Sequence, residues 1–191
     1  MNDVTHAAPK QYFSRAFNSP VGQLKLVVSD KGLAAILWEK DDPHRVHLND
    51  VVEKADHPLL IETERQLKEY FSGARKTFNL ELDFAGTAFQ RRVWAALLTI
   101  PYGETRSYSE IAKQIGMPSA ARAVGAANGK NPISIVAPCH RVIGSTGDLT
   151  GFAGGLPTKK YLLSLEAPQP GLFGTHRQAR TRKPLDASTG T

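Results

Sequence analysis

Cysteine is almost absent: the 191 residues contain one, Cys139. A single cysteine excludes an internal disulfide framework and any zinc site built on paired thiolates. His44 and His47 lie in a charged stretch with no second cysteine to join them, so no metal is expected. Long apolar runs are also missing. No stretch approaches the roughly 18–20 residues that a bilayer crossing needs. Residues 1–10 are polar and lack the apolar region of a signal peptide. These absences lead to the expectation of a cytoplasmic protein, in a compartment where a free thiol persists.

Acidic residues are scarce in the second half of the chain. Residues 1–85 hold 11 Lys/Arg and 13 Asp/Glu, a net −2. Residues 86–168 hold 9 and 4, a net +5, and residues 169–191 hold 4 and 1, a net +3. The positive field therefore belongs to the half that carries the cysteine. A basic region attracts polyanions such as the DNA backbone, although many basic proteins bind no nucleic acid. At 41% hydrophobic residues, the chain has enough apolar surface to bury a core.

The first 85 residues read as a small α/β domain, an antiparallel sheet plus a helix. Residues 23–29 and 33–39 are rich in Leu, Val and Ile and flank Asp30-Lys31-Gly32, the pattern of a hairpin with a glycine turn. Residues 12–18 add a third strand. Pro58 opens a helix with Leu60, Leu67 and Phe71 on one face, and Ser72-Gly73 stops it. Residues 77–84 alternate, with Phe78, Leu80, Leu82 and Phe84 on one side of an expected strand.

Helix signals dominate residues 86–168. Thr87 caps a helix running to Thr99, with Phe89, Val93 and Leu97 facing the core. Ser107-Tyr108-Ser109-Glu110 has the form of a capping box. The helix it opens ends at Gly116, and residues 120–128 form another, so the pair reads as a helix-turn-helix. The second helix is made of small residues around one cation: Ala120, Ala121, Ala123, Gly125, Ala126 and Ala127 surround Arg122. Small side chains let a backbone approach a surface closely. Composition alone favours another helix as that surface over a DNA groove. Residues 169–191 carry no apolar period and read as a flexible basic tail.

The chemistry concentrates at Pro138-Cys139-His140-Arg141, which an apolar strand is expected to lead into. Cysteine is a strong nucleophile only as the thiolate, and an imidazole beside it can take its proton. A buried structural cysteine is the commoner fate, but such a residue does not usually sit beside His and Arg at a strand end. In an extended strand, neighbours point to opposite faces. Cys139 and His140 therefore cooperate only if the chain turns there or a water bridges them. Glu166, ending the last helix, is a candidate to fix the histidine tautomer.

Pro138-Cys139-His140-Arg141 resembles the signature of the O6-alkylguanine-DNA alkyltransferases. Tyr108, the run from Ala120 to Gly125, Asn131-Pro132, Gly154-Gly155 and Glu166 fall at the offsets from Cys139 that the family pattern has. The resemblance extends over residues 84–166. It implies direct-reversal DNA repair: one irreversible transfer of an alkyl group from guanine O6 in duplex DNA to Cys139, with the nucleotide flipped out of the stack and no cofactor. The implied roles are Cys139 as acceptor, His140 with Glu166 as base through a water, and Asn131 as brace of the turn. Arg122, Tyr108, Ala121, Ala123, Gly125, Asn128 and Arg141 would contact DNA. Tyr108, Phe152, Ala153 and Gly154 would line the substrate pocket. Phe152 departs from the Tyr that many members carry, which removes a hydroxyl donor to the base. The implied partner is double-stranded DNA carrying O6-alkylguanine. The chain itself is expected to be a monomer, with cooperative assembly on DNA left open.

Two other readings compete. A non-catalytic lesion- or DNA-binding protein explains the helix-turn-helix but not Pro138-Cys139-His140-Arg141, and its recognition helix should carry more polar base readers. A cysteine hydrolase using Cys139, His140 and Glu166 would turn over without DNA, but known hydrolases keep Cys and His far apart in sequence.

Overall fold

A computed structural model describes residues 10–167. The polar N-terminal residues 1–9 and the basic tail over 169–191 lie outside the described residues. No helix among the described residues is long and apolar enough to cross a membrane.

The chain opens with strands β1 (Tyr12–Ser19), β2 (Gly22–Ser29) and β3 (Gly32–Trp38), which form an antiparallel meander. A short β4 (Val51–Glu53) joins β1 in parallel, so the sheet order is β3-β2-β1-β4. The expected antiparallel sheet is therefore mixed. Two valines and a glutamate at β4 were too short a signal to read as a strand. Both faces of β2 are buried. Leu24, Leu26 and Val28 face the main core, and Val27 faces a smaller one with Tyr12, Ala34 and Ala35. A bulge between Val27 and Val28 sets this register.

Helix α1 (Pro58–Phe71) covers the main-core face with Leu60, Leu67 and Tyr70. Its N-cap is His57, and Pro58 occupies the first turn, where a missing N–H costs nothing. Residues 77–84 are extended, and Phe78, Leu80, Leu82 and Phe84 pack on the core as their alternation predicts. They do not form a ladder. Leu82 makes a single bridge to Leu33, and farther along β3 Ile36 bridges Ile133 instead. The outer edge of β3 is thus divided between two segments, each pairing with it in parallel at a single bridge. Gly32 (φ +151°) starts that edge, and a Cβ there would collide with the Glu81 carbonyl.

The second half is mainly helical, with α2 (Ala88–Leu97), α3 (Tyr108–Gln114), α4 (Ala121–Gly129) and α5 (Leu156–Glu166). Thr87 and Gln90 close a capping box on α2, and Ser107 and Glu110 close one on α3. Val93 and Leu97 are buried as expected, while Phe89 is half-buried. The turn at Gly116 (φ +72°) joins α3 to α4. The Trp94 indole donates to the Ala127 carbonyl at 2.9 Å, fixing α2 against α4. A two-stranded parallel pair, β5 (Arg106–Ser107) with β6 (Val142–Ile143), ties the start of α3 to the segment after Cys139. Ile133, Ile135, Val136 and Leu162 complete the core of the N-terminal sheet. The two halves therefore share a core through residues 133–136 and Leu162, while Cys139 packs in the separate core of the second half.

Candidate active site

The segment before Cys139 is not a strand. After the single bridge at Ile133 the chain coils back, with Ala137 N donating to Ile133 O at 2.9 Å and Val136 N to Ser134 O at 2.9 Å. Ile135 takes φ +73°. A β-branched residue in that region is strained, at a cost on the order of 1–3 kcal/mol. Two observations explain why it persists. Ile135 is fully buried in the main core, and Asn131 pins both sides of the coil. The Asn131 amide donates to Ala137 O at 2.8 Å, and its oxygen accepts from Ile133 N at 3.0 Å.

Cys139, His140 and Arg141 then form one 3-10 turn. This supplies the turn that cooperation between Cys139 and His140 requires. At three residues per turn, consecutive side chains leave roughly 120° apart instead of on opposite faces.

Glu166 is the hub beneath this turn and is itself buried. Its Oε1 accepts from His140 Nε2 at 2.7 Å, from Tyr70 Oη at 2.7 Å and from Arg141 Nη2 at 2.9 Å. Its Oε2 accepts from Arg141 Nε at 2.7 Å and from Gly103 N at 3.3 Å. Burial alone would raise its pKa, but the bonds from His140 and Arg141 outweigh burial and hold it at about 2. An ionised carboxylate can only accept, so His140 carries its proton on Nε2 and its lone pair on Nδ1. That Nδ1 is buried and has no hydrogen-bond partner among the described residues. Burial lowers the His140 pKa despite Glu166, so the ring stays neutral near pH 7. Burial also pushes the Cys139 thiol up, against the opposing influence of nearby Asn131 and Ser134 and the charges of Arg45 and Lys159. The resting site is therefore a neutral thiol beside a neutral imidazole whose tautomer is fixed.

Arg141 and Asn128 were expected at the DNA, and their placement corrects this. The Arg141 guanidinium is buried, paired with Glu166 and bonded to Ile100 O at 2.6 Å. Asn128 is buried on the inner side of α4, and its amide reaches the Cys139 carbonyl at 3.4 Å. Both side chains are committed to the site's interior.

Arg122 and Ala123 are exposed on the outer face of α4, and Ala121 and Gly125 are half-buried. Gly125 packs where a Cβ would stand 3.7 Å from the Tyr108 ring, and Tyr108 Oη accepts from Thr150 Oγ1 at 3.1 Å. Phe152 lies edge-on to His140 at 6.5 Å and to Trp38 at 5.4 Å between ring centroids. Ala153 is half-buried in the same loop. A Cβ on Gly154 would fall 2.9 Å from the Trp38 indole, so only glycine lets this loop lie on that ring.

Four residues near the site carried no sequence signal. Tyr70 reaches Glu166 from α1 across 96 positions. Arg45 is buried, pairs with Asp41 and donates to the Asn131 carbonyl. Lys159 is fully buried, and its ammonium donates to Val142 O at 2.6 Å and Thr150 O at 2.8 Å. Trp38 supports the loop of Phe152 and Gly154. Among the described residues no group of three or more His, Cys, Asp or Glu side chains is placed to hold a metal ion.

Two family models match the chain. One is described as "6-O-methylguanine DNA methyltransferase, ribonuclease-like domain", over residues 12–84. The other is described as "6-O-methylguanine DNA methyltransferase, DNA binding domain", over residues 88–168. The chain is 67% identical over 154 residues to a methylated-DNA–protein-cysteine methyltransferase of Mycolicibacterium paratuberculosis, covering 80% of this chain and 90% of the relative. It is 51% identical over 154 residues to the protein of that name from Mycobacterium tuberculosis, with the same coverage. The crystal structure of M. tuberculosis OGT in complex with DNA superposes with a TM-score of 0.74 at 47% identity, covering 83% of this chain and 95% of that one.

Proposed function

The chain belongs to the 6-O-methylguanine DNA methyltransferase family, and we propose that Cys139 is the acceptor to which it moves the alkyl group. Its activity is direct-reversal repair, transferring a methyl group from methylated DNA to a cysteine of the protein itself. The observation that carries the assignment of the acceptor is the joining of Cys139 to a buried His140–Glu166 pair by a single turn. No other cysteine exists to receive the group.

The chemistry follows from the resting charges. The thiol gives its proton through a bridging water to His140 Nδ1, and Glu166 stabilises the imidazolium that forms. The sulfur then attacks the alkyl carbon. The S–C bond forms as the C–O6 bond breaks, and guanine leaves with the electron pair. The thioether has no hydrolysable bond, so each molecule acts once and needs no cofactor. Asn131 holds the coil that aims the sulfur. The outer face of α4 enters a DNA groove, where Ala121, Ala123 and Gly125 allow close approach and Arg122 fills the gap left by the flipped nucleotide. Tyr108 turns the phosphate. Flipping costs a few kcal/mol, less at a damaged pair. The nucleotide is received by Tyr108, Phe152, Ala153 and Gly154. The protein acts as a cytoplasmic monomer on duplex DNA containing O6-alkylguanine.

The test is the intact mass after incubation with duplex DNA containing O6-methylguanine, with wild type and Cys139→Ala side by side. The expected result is a gain of about 14 Da, one methyl, on the wild type alone. DNA binding without any mass gain would overturn the repair assignment in favour of a lesion-binding protein, and continued turnover without DNA would point to a hydrolase.

A further inference from the structure

Ser134 is unused by the chemistry above, yet it is fully buried and its Oγ has no hydrogen-bond partner among the described residues. A buried hydroxyl left unpaired costs about 1–3 kcal/mol, so its position asks for a reason. Ser134 lies in the coil that leads to Cys139. The bonds from Ala137 N to Ile133 O and from Cys139 N to Ala137 O fold residues 133–139 back on themselves. Ile135, which follows Ser134 in that fold, takes φ +73°, and the Ser134 hydroxyl is enclosed there. There its polar neighbour is the sulfur of Cys139. A thiol is a weak acceptor, whereas a thiolate is a strong one.

We propose that Ser134 is a further catalytic residue, whose hydroxyl donates a hydrogen bond to Cys139 Sγ as negative charge develops on the sulfur. The donor is held ready and under-used in the resting state and becomes satisfied only when the proton leaves for His140. That is stabilisation aimed at the charged state, preorganised by the coil. Asn131 cannot do this alone, because one amide hydrogen and its oxygen already hold the coil. The other charged or titratable groups around the sulfur are Arg45 from the loop after β3, Lys159 from α5, and the neutral His140 with Glu166 and Arg141 behind it. Ser134→Ala alters none of them.

The proposal rests on Cys139 as acceptor, and the experiment separates the two. Methyl transfer from duplex DNA containing O6-methylguanine is measured in single turnover at saturating DNA from pH 6 to 9.5, for wild type, Ser134→Ala and Ser134→Thr. Ser134→Ala should transfer about tenfold more slowly at pH 7, and the alkaline rise in rate that follows ionisation of the thiol should begin about one pH unit higher. DNA affinity should be unchanged and Tm equal or higher, since an unpaired buried hydroxyl is removed. Ser134→Thr, which keeps the hydroxyl, should recover most of the rate. A Ser134→Ala profile superimposed on wild type overturns the proposal and leaves Cys139 as acceptor. A loss shared equally by both variants together with a lowered Tm assigns Ser134 to packing and overturns it too. If wild type itself gains no methyl, the underlying assignment fails.

Discussion

Replacing Glu166 by Gln tests whether the site is held together by one buried charge. Five donors converge on this carboxylate: Tyr70 Oη, His140 Nε2, two N–H groups of Arg141 and Gly103 N. Gln keeps the shape but removes the charge, and its amide brings a donor toward other donors. The buried Arg141 guanidinium would then have no counter-charge, which costs about 3–5 kcal/mol. An independent figure comes from the carboxyl itself. Holding it at about 2 instead of 4.5 is worth about 3 kcal/mol at about 1.36 kcal/mol per pH unit. For a chain of this size each kcal/mol moves Tm by about 2–4 °C, so Glu166→Gln should melt about 6–20 °C lower at pH 7. The pH dependence has a definite sign. A depressed carboxyl pKa contributes stability that is present above 4.5 and lost as pH falls toward 2. The gap between wild type and variant should therefore be widest near neutrality and reduced to less than half by pH 3. Thermal melts at pH 7, 5 and 3 measure this. A variant melting within 2 °C of wild type at pH 7, or a gap that widens in acid, would refute the reasoning.

Arg122→Ala should weaken DNA binding by about 1 kcal/mol and reduce the salt slope by about one charge, without moving Tm, because the side chain is exposed on α4; fluorescence anisotropy at several salt concentrations reads both. Gly154→Ala places a methyl 2.9 Å from the buried Trp38 ring, so the loop carrying Phe152 must shift. Transfer should slow by about 100-fold, as a misplacement of roughly 1 Å can produce, and single-turnover rates against far-UV circular dichroism separate this from misfolding. Because burial holds the His140 pKa below 6.5, the transfer rate should stay flat as pH falls to 6.5 and decline only below it. An acid limb centred above pH 7 would show that the ring is protonated in the resting site.

What was legible in the sequence depended on how far apart the interacting residues lie. Thr87 capping α2 and the Ser107–Glu110 box involve groups three residues apart, and both appear as read. The hairpin around Asp30-Lys31-Gly32 is equally local. The alternation of residues 77–84 gave the facing of each side chain correctly, but not the hydrogen bonding. Facing depends on the segment alone, whereas a ladder depends on an edge being free, and β3 gives its edge to both Leu82 and Ile133. The strand expected before Cys139 failed for a related reason. Apolar content says that residues 133–137 are buried, and burial is equally served by a coil pinned by Asn131.

The same distinction explains why Arg141 was misplaced while His140 was not. Sequence displays a charge but not the direction in which it points. In a basic stretch an arginine is readily assigned to phosphate, because solvated cations are the common case. Here the 3-10 turn sends His140 and Arg141 to the same carboxylate, and the pairing becomes visible only once Glu166 and Tyr70 are brought together across 96 positions. The pairing also has a chemical consequence that a surface arginine would not have. Arg141 keeps Glu166 ionised, ionised Glu166 fixes the proton of His140 on Nε2, and the lone pair is thereby left on Nδ1. Neutralising Arg141 would therefore alter the acid–base chemistry of the site without touching the nucleophile or the base.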